Sequence, residues 1–312
     1  MNIAILGATS NIAQDLIFNF VRKNSGFNIS LFSRNTSHLN SWLNKKKIIN
    51  EISFVGLYED FLIKDNYDII FNFVGIGDPA KAIKIGSSIL DVTHKYDSLA
   101  IDYIKKKPST KYFFLSSGAA YGIKNFFTNV DDLSEAVIKI NDIQPQDWYS
   151  VAKLHAECRH RSLVDNNIVD IRVFNYINSS LDINSRFFIT DAIRSIINKK
   201  QFKTSIKNIV RDYIGPDDFY NLIISLISYG NLNDSVDCYT KSPIDKFSLL
   251  KMLQKEFGLN YIIDQSETGL NATGTKDKYF SKNFRAEKYG YDPQYTSLET
   301  IQNESRLILK NI

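Results

Sequence analysis

"NIAILGATSNIAQDL" (residues 2–16) sets an apolar run, a glycine-bearing turn and then apolar residues at helical spacing, in that order. A buried strand feeding a tight turn and a helix is the opening unit of a sheet covered by crossover helices. No basic segment precedes the apolar run and Gly7 interrupts it early, so it reads as a first strand and not as a secretion signal. Outward from it, apolar and amphipathic stretches alternate. A helix is expected over 12–23, strands over 27–33, 51–56, 67–75 and 111–117, and a long helix from about 79 to 107. A further helix over 148–166 leads to a strand over 168–174.

Strands separated by helices of this length need right-handed crossovers and form a parallel sheet buried on both faces. The expected fold class is α/β, a doubly wound parallel (Rossmann) sheet over 1–174 with later returns near 209–229 and 235–240. After Phe174 the rhythm breaks into turn-rich stretches such as "NSSLDINSRFF", so 175–312 reads mainly as a smaller C-terminal lobe.

At 312 residues the chain can bury a large core, and 44% hydrophobic with 23% charged residues is ordinary for a globular protein. No apolar run approaches the ~20 residues that span a bilayer, so no membrane partner is expected. The net charge is +4, and the lysine runs at 45–47, 105–107 and 199–200 lack interleaved aromatics, which favours solvated helix ends over a nucleic-acid face. Cys158 and Cys238 are too few for a disulfide framework, so a cytoplasmic location is expected. His155, Cys158 and His160 stand at i, i+3 and i+5 and do not share a helix face, so no metal is expected.

The turn after the first strand reads "GATSNIA", Gly7 to Ala13. Such a turn offers backbone N–H groups and a positive helix end to a pyrophosphate. Its spacing is similar to a dinucleotide-binding glycine fingerprint, with Ser10 where bare backbone is usual; the Ser10 hydroxyl could donate to a phosphate oxygen. Gly7, Thr9, Ser10, Asn11 and Ile12 form the expected cofactor cradle. The second strand ends "LFSRN", and no Asp or Glu lies between Phe27 and Asn50 to take the ribose 2′-hydroxyl of NAD. Arg34 suits a 2′-phosphate, so NADP(H) is the expected cofactor and NAD(H) the alternative. A solvated arginine at a strand exit would leave the same pattern.

"DWYSVAKLH" (147–155) places Tyr149 and Lys153 one helical turn apart, and "YIKKK" (103–107) repeats the spacing in Tyr103 and Lys107. Context separates the two. The fifth strand ends "FFLSSGAAYG", which brings Ser117 to the carboxyl edge of the sheet one loop before Tyr149. Tyr103 sits in a lysine run stopped by Pro108 and reads as a surface pair with Lys107. At this point the chain resembles the extended short-chain dehydrogenase/reductases, also called NAD-dependent epimerase/dehydratases, in their nucleotide-sugar branch. Besides "GATSNIA", "DIIFNFVG" (68–75) looks like the family's fourth-strand motif. "SSGAAYG" (116–122) matches Ser-Ser-x-x-Val-Tyr-Gly, "YSVAK" (149–153) matches Tyr-x-x-x-Lys, and "IRVFN" (171–175) matches Arg-x-Phe-Asn. "RDYIGPDDF" (211–219) and "RAEKYGYDPQYTSLE" (285–299) complete seven motifs in the family's order.

The resemblance implies Tyr149 as general acid/base. A free tyrosine has a pKa of about 10, and a Lys153 ammonium one turn away would favour its phenolate. Lys153 would also hold the nicotinamide ribose, and Ser117 the substrate's carbonyl or carbinol oxygen. Val74, Gly75, Ser116 and Phe174 would join the cofactor site, and Asn175 and Arg211 would contact the diphosphate of a nucleotide-sugar substrate. Homodimers through a helical face are common in the family, and cell-surface polysaccharide biosynthesis is the setting the resemblance implies. A sugar 4,6-dehydratase needs an Asp-Glu pair after its catalytic hydroxyl residue, whereas Gly118-Ala119-Ala120 follow Ser117. The expected activity is therefore NADPH-dependent reduction of a nucleotide-linked keto sugar of the 4-keto-6-deoxy kind. An NAD-dependent 4-epimerase is the alternative, and a non-catalytic NADP-binding sensor or scaffold the third reading.

Overall fold

A computed structural model describes residues 1–75, 86–122, 130–264 and 277–310; the first part of the helix expected from 79 lies outside them. Six strands build most of the central sheet: β1 (Asn2–Leu6), β2 (Asn28–Phe32), β3 (Phe54–Gly56), β4 (Ile69–Asn72), β5 (Lys111–Ser117) and β6 (Ile168–Val173). A returning strand, Asn233–Asp237, adds to β6 and makes seven, ordered β3-β2-β1-β4-β5-β6 and then 233–237. Every pairing is parallel, with Ile3 opposite both Ile29 and Ile69. The order reverses between β1 and β4, and ligands of such sheets lie beyond the carboxyl ends of the strands at that reversal.

The pleat sorts the apolar runs onto two faces. Ile3 and Ile5 pack with Leu16, Ile17 and Phe20 of α1 (Asn11–Arg22), with Leu39 and Leu43 of α2 (Thr36–Lys46), and with the helix Pro216–Ser228. Ala4, Leu6, Tyr112 and Phe114 turn the other way, onto α3 (Ser88–Lys106) and α4 (Trp148–Arg161). Both faces are covered, which is why the strands read as continuous apolar runs.

The helix expected over 148–166 stops at Arg161 because a side chain takes over its open carbonyls. The Asn233 amide donates to His160, Leu163 and Asn166 at 3.1, 2.7 and 3.2 Å. The C-terminal helices Phe188–Ile197, Lys246–Phe257 and Ser297–Lys310 share a separate core around Ile193, Leu250, Leu253 and Ile301. Strand Val210–Arg211 lies between Ile244–Asp245 and Lys278–Tyr279, and Tyr213–Ile214 pairs with Asn175–Tyr176. Among the described residues no helix is long and apolar enough to cross a membrane.

Candidate active site

Gly7 leaves β1 with φ +78°, and a Cβ there would stand 2.7 Å from the Phe73 carbonyl carbon and 2.8 Å from the Val74 nitrogen. Only glycine lets the turn press this closely on the exit of β4. Ser10 then caps α1, its hydroxyl accepting the Ala13 N–H at 3.3 Å. The hydroxyl proton is not consumed by that cap, so Ser10 can still donate to a phosphate. Thr9 and Ile12 are half-buried, Asn11 is exposed, and no acidic side chain occupies the first turn of α1 to compete for its positive end.

At the end of β2, Ser33 is buried and its hydroxyl has no hydrogen-bond partner among the described residues. Arg34, next to it, is exposed and forms no ion pair among the described residues. Tyr58 stands close by: burial pushes its phenol up to about 12, with Tyr96 adding to the shift and Arg34 and the Gly7 backbone opposing it. An orphaned buried hydroxyl, an unpaired guanidinium and an open helix N-terminus together fit a phosphate-bearing dinucleotide.

Tyr149 lies in the first turn of α4, beside the short turn Gly118–Tyr121 that follows β5. Ser117 is buried, caps that turn by accepting the Ala119 N–H at 3.2 Å, and stands 3.4 Å from the Tyr279 hydroxyl. Lys153, buried below Tyr149, donates to the Leu115 carbonyl at 2.7 Å. Its ammonium lies 4.4 Å over the Phe114 ring, 5.9 Å from the Tyr149 ring centroid, and 3.6 Å from where a Gly75 Cβ would stand. Burial lowers the Lys153 pKa to about 8, against the pull of Glu157, Asp170 and Asp97. The Tyr149 phenol is raised by burial, with the Ser117 hydroxyl drawing it back. Tyr149 therefore keeps its proton at neutral pH.

The structure separates the remaining expected residues by direction. Ser116 faces α4, where its hydroxyl donates to Glu157 at 2.5 Å; Glu157 in turn accepts from Arg172 at 3.0 Å. The Val74 N–H is held by the Asn72 side-chain oxygen at 3.0 Å. Phe174 packs so closely on Gly118 that a Cβ there would meet its ring at 2.5 Å. Asn175 donates to the carbonyls of Asp212 and Tyr279 at 2.9 and 3.4 Å, bracing the strand that carries Tyr279. Arg211 donates to the Val210 carbonyl at 2.8 Å, and burial lowers its pKa, with Tyr213, Tyr279 and Asp277 opposing. Neither Asp212 nor Asp217 is bonded to it: Asp212 accepts from Thr240 and Ser297, and Asp217 pairs with Lys23.

Tyr103 is not on the surface. It is 2% exposed, and its hydroxyl accepts the Tyr67 N–H at 2.8 Å. His160 turns inward between two aspartates while Cys158 lies exposed, so the two do not converge. Sequence reading missed Tyr279, which arrives on a short strand remote in sequence and follows no spacing rule. Glu157, at i+4 from Lys153, was within reach of the helical period.

Residues 3–236 match the NAD dependent epimerase/dehydratase family. The chain belongs to this family. It is accordingly a dinucleotide-dependent enzyme of the extended short-chain dehydrogenase type. The fold is shared with dTDP-glucose 4,6-dehydratase from Bacillus anthracis str. Ames in complex with NAD, at TM-score 0.77 and 15% identity, covering 100% of this chain and 97% of that one. UDP-glucose 4-epimerase from Thermotoga maritima with UDP-glucose gives 0.78 and 16%, covering 100% and 99%. UDP-N-acetylglucosamine 4-epimerase from Methanobrevibacter ruminantium M1, in complex with UDP-N-acetylmuramic acid, gives 0.76 and 14%, with the same coverage. No curated protein matches the sequence.

Proposed function

We propose that this family member is an NADPH-dependent reductase of a nucleotide-activated keto sugar, of the 4-keto-6-deoxy kind. Arg34 carries the reading: an exposed guanidinium without an ion-pair partner among the described residues, at the strand end where an acid would select NAD. The Tyr149 hydroxyl, hydrogen-bonded with Ser117 at the end of β5, supports it, because reduction needs a proton donor at the carbonyl oxygen. In this reading residues 1–174 hold the cofactor, with Gly7, Thr9, Ser10, Asn11 and Ile12 at the pyrophosphate and Val74, Gly75 and Phe174 along the cleft. Residues 175–312 hold the nucleotide sugar, with Asn175 and Arg211 toward its diphosphate.

A bound nicotinamide cofactor would supply the hydride for the carbonyl carbon. Tyr149 gives its phenolic proton to the oxygen as charge develops there, and Ser117 hydrogen-bonds the same oxygen. Lys153 stabilises the phenolate left behind and binds the ribose hydroxyls. Pairing of two chains through a helical face belongs to the same reading. A second reading, an NAD-dependent 4-epimerase, is favoured by the epimerases among the structures sharing this fold.

Side-by-side titration of the purified protein with NADPH and NADH tests the proposal. The expected preference for NADPH is roughly tenfold or more, the worth of a charged hydrogen bond, and Arg34→Asp should reverse it. NAD retained through purification, or an Arg34→Asp variant with unchanged preference, overturns the reductase reading and favours the epimerase.

A further inference from the structure

A charged cluster is buried where α3, α4, β4, β5 and β6 meet. His160 is 0% exposed, its Nδ1 2.6 Å from Asp170 Oδ1 and its Nε2 2.7 Å from Asp97 Oδ1. Arg159 donates to the other oxygen of Asp97 at 3.1 Å, and Arg161 to the other oxygen of Asp170 at 2.8 Å. The Tyr112 hydroxyl donates to Asp97 Oδ1 at 2.9 Å and accepts from the Asn72 amide at 2.9 Å. Asn72 then holds the Val74 N–H at 3.0 Å. The directions follow from the inventory of protons. Tyr112 has one proton and a carboxylate takes it, so its oxygen must accept from Asn72, which leaves the Asn72 oxygen facing Val74. Both imidazole nitrogens of His160 face carboxylate oxygens, so both carry protons.

We propose that the chain Asn72–Tyr112–Asp97–His160–Asp170 is a positioning device that sets the exit of β4 and the catalytic helix against each other at the dinucleotide site. The proposal rests on the cofactor reading above. His160 is at i+7 from Lys153, on the same face of α4, and the Phe114 ring bridges them, 4.4 Å from the Lys153 ammonium and 5.2 Å from the imidazole centroid. Val74 and Gly75 hang from the other end of the chain, and Gly75 lies beside Lys153. One buried unit thus fixes both the backbone floor of the cleft and the depth of the helix carrying Tyr149 and Lys153. Apolar residues of the same volume often give equal or greater stability, so stability alone is a poor reason to bury such charges. Placement is the better one, since a 1 Å misplacement at a reactive site can cost about 10²-fold. Facing His160 are Asp97 from α3, Arg159 and Arg161 on its own helix, Tyr112 and Phe114 from β5, and Asp170 from β6. Burial disfavours its charge, but Asp170 and Asp97 outweigh that and raise its pKa to about 9.

Tyr112→Phe tests the proposal, because it cuts Asn72 from Asp97 and leaves His160 with both aspartates. Tyr103→Phe is the control, removing another buried hydroxyl remote from the cleft. Full-length variants are titrated with NADPH and NADH and melted in parallel. Tyr112→Phe should weaken dinucleotide binding by roughly threefold to tenfold, while Tyr103→Phe lowers the thermal midpoint and leaves affinity unchanged. If Tyr112→Phe also lowers only the midpoint, with affinity within about twofold of wild type, the cluster is structural and the proposal is overturned. A wild-type chain that binds neither dinucleotide removes the cofactor reading, and this one with it.

Discussion

Tyr103–Lys107 and Tyr149–Lys153 have the same spacing, on helices that touch through Arg159 and Asp97. Both tyrosines are drawn into the protein, yet only one meets other reactive groups. What separates them is which end of a helix each occupies. Tyr103 lies near the C-terminal end of α3 (Ser88–Lys106), whereas Tyr149 is the second residue of α4 (Trp148–Arg161). In a parallel sheet with crossover helices, each helix begins at the carboxyl edge of the strands and ends at the amino edge, and ligands gather at the carboxyl edge. Tyr103 accordingly accepts a backbone N–H just before β4, while Tyr149 stands over the end of β5 beside Ser117. Lys107 reaches the surface and pairs with Asp65 at 3.1 Å, and its pKa is raised, chiefly by its hydrogen bond with Asp65. Lys153 is walled in, and its pKa falls to about 8. Spacing defines a helix face; topology decides what that face meets.

The comparison breaks most readily at the two hydroxyls. Tyr149→Phe should lower turnover of a keto-sugar nucleotide by roughly 10²–10⁴-fold, the usual worth of a positioned acid/base. Tyr103→Phe should leave turnover as it was. Steady-state rates with NADPH across a panel of candidate sugars measure both. Full activity in Tyr149→Phe would mean that the proton comes from elsewhere.

Much of the architecture was legible because buried strands and amphipathic helices differ in period, and the alternation from Ile3 to Val173 shows that period plainly. Ser117, Tyr149 and Lys153 were legible for the same reason: strand end, loop and helix start carry them to one edge. Two features were not. Tyr279 reaches Ser117 through a two-residue strand, too short to leave a periodic signal. Burial of Tyr103, and the charges of Asp97 and His160 among apolar neighbours, depend on which side chains approach from other elements. A lysine run next to Tyr103 describes the residues that follow it, not the depth of its own ring.

A smaller effect sharpens the lysine half of the comparison. The folded-state pKa of Lys153, about 8, lies below the ordinary lysine value of about 10.4. Its ammonium is thus present below pH 8 and lost as pH rises through that point, and binding that depends on it should weaken there. Lys153→Met should bind NADPH roughly tenfold more weakly at neutral pH, as expected for loss of a charged hydrogen bond, and should lack the change near pH 8. The stability sign is opposite. Between about 8 and 10.4 the unfolded chain holds a proton that the folded chain has released, so this group's contribution to stability rises with pH across that window. Affinity measured from pH 6 to 10 in both proteins separates the two; an identical pH profile in Lys153→Met would show that Lys153 is not the titrating group.

The least dramatic result is expected at the other pair, and it tests whether Tyr103 serves packing alone. Removing its hydroxyl strands the Tyr67 N–H in a buried place, which should cost about 1–3 kcal/mol of unfolding free energy. The ring itself remains against Phe61 and Tyr67, so no cavity forms and no loss beyond that donor is expected. Lys107→Ala should change neither stability nor turnover measurably, because its partner Asp65 is solvated and exposed pairs contribute little. Urea unfolding of both variants measures this directly. A Tyr103→Phe chain as stable as wild type would mean that water reaches the Tyr67 N–H, and a loss of turnover in either variant would show that the amino edge of this sheet communicates with its carboxyl edge.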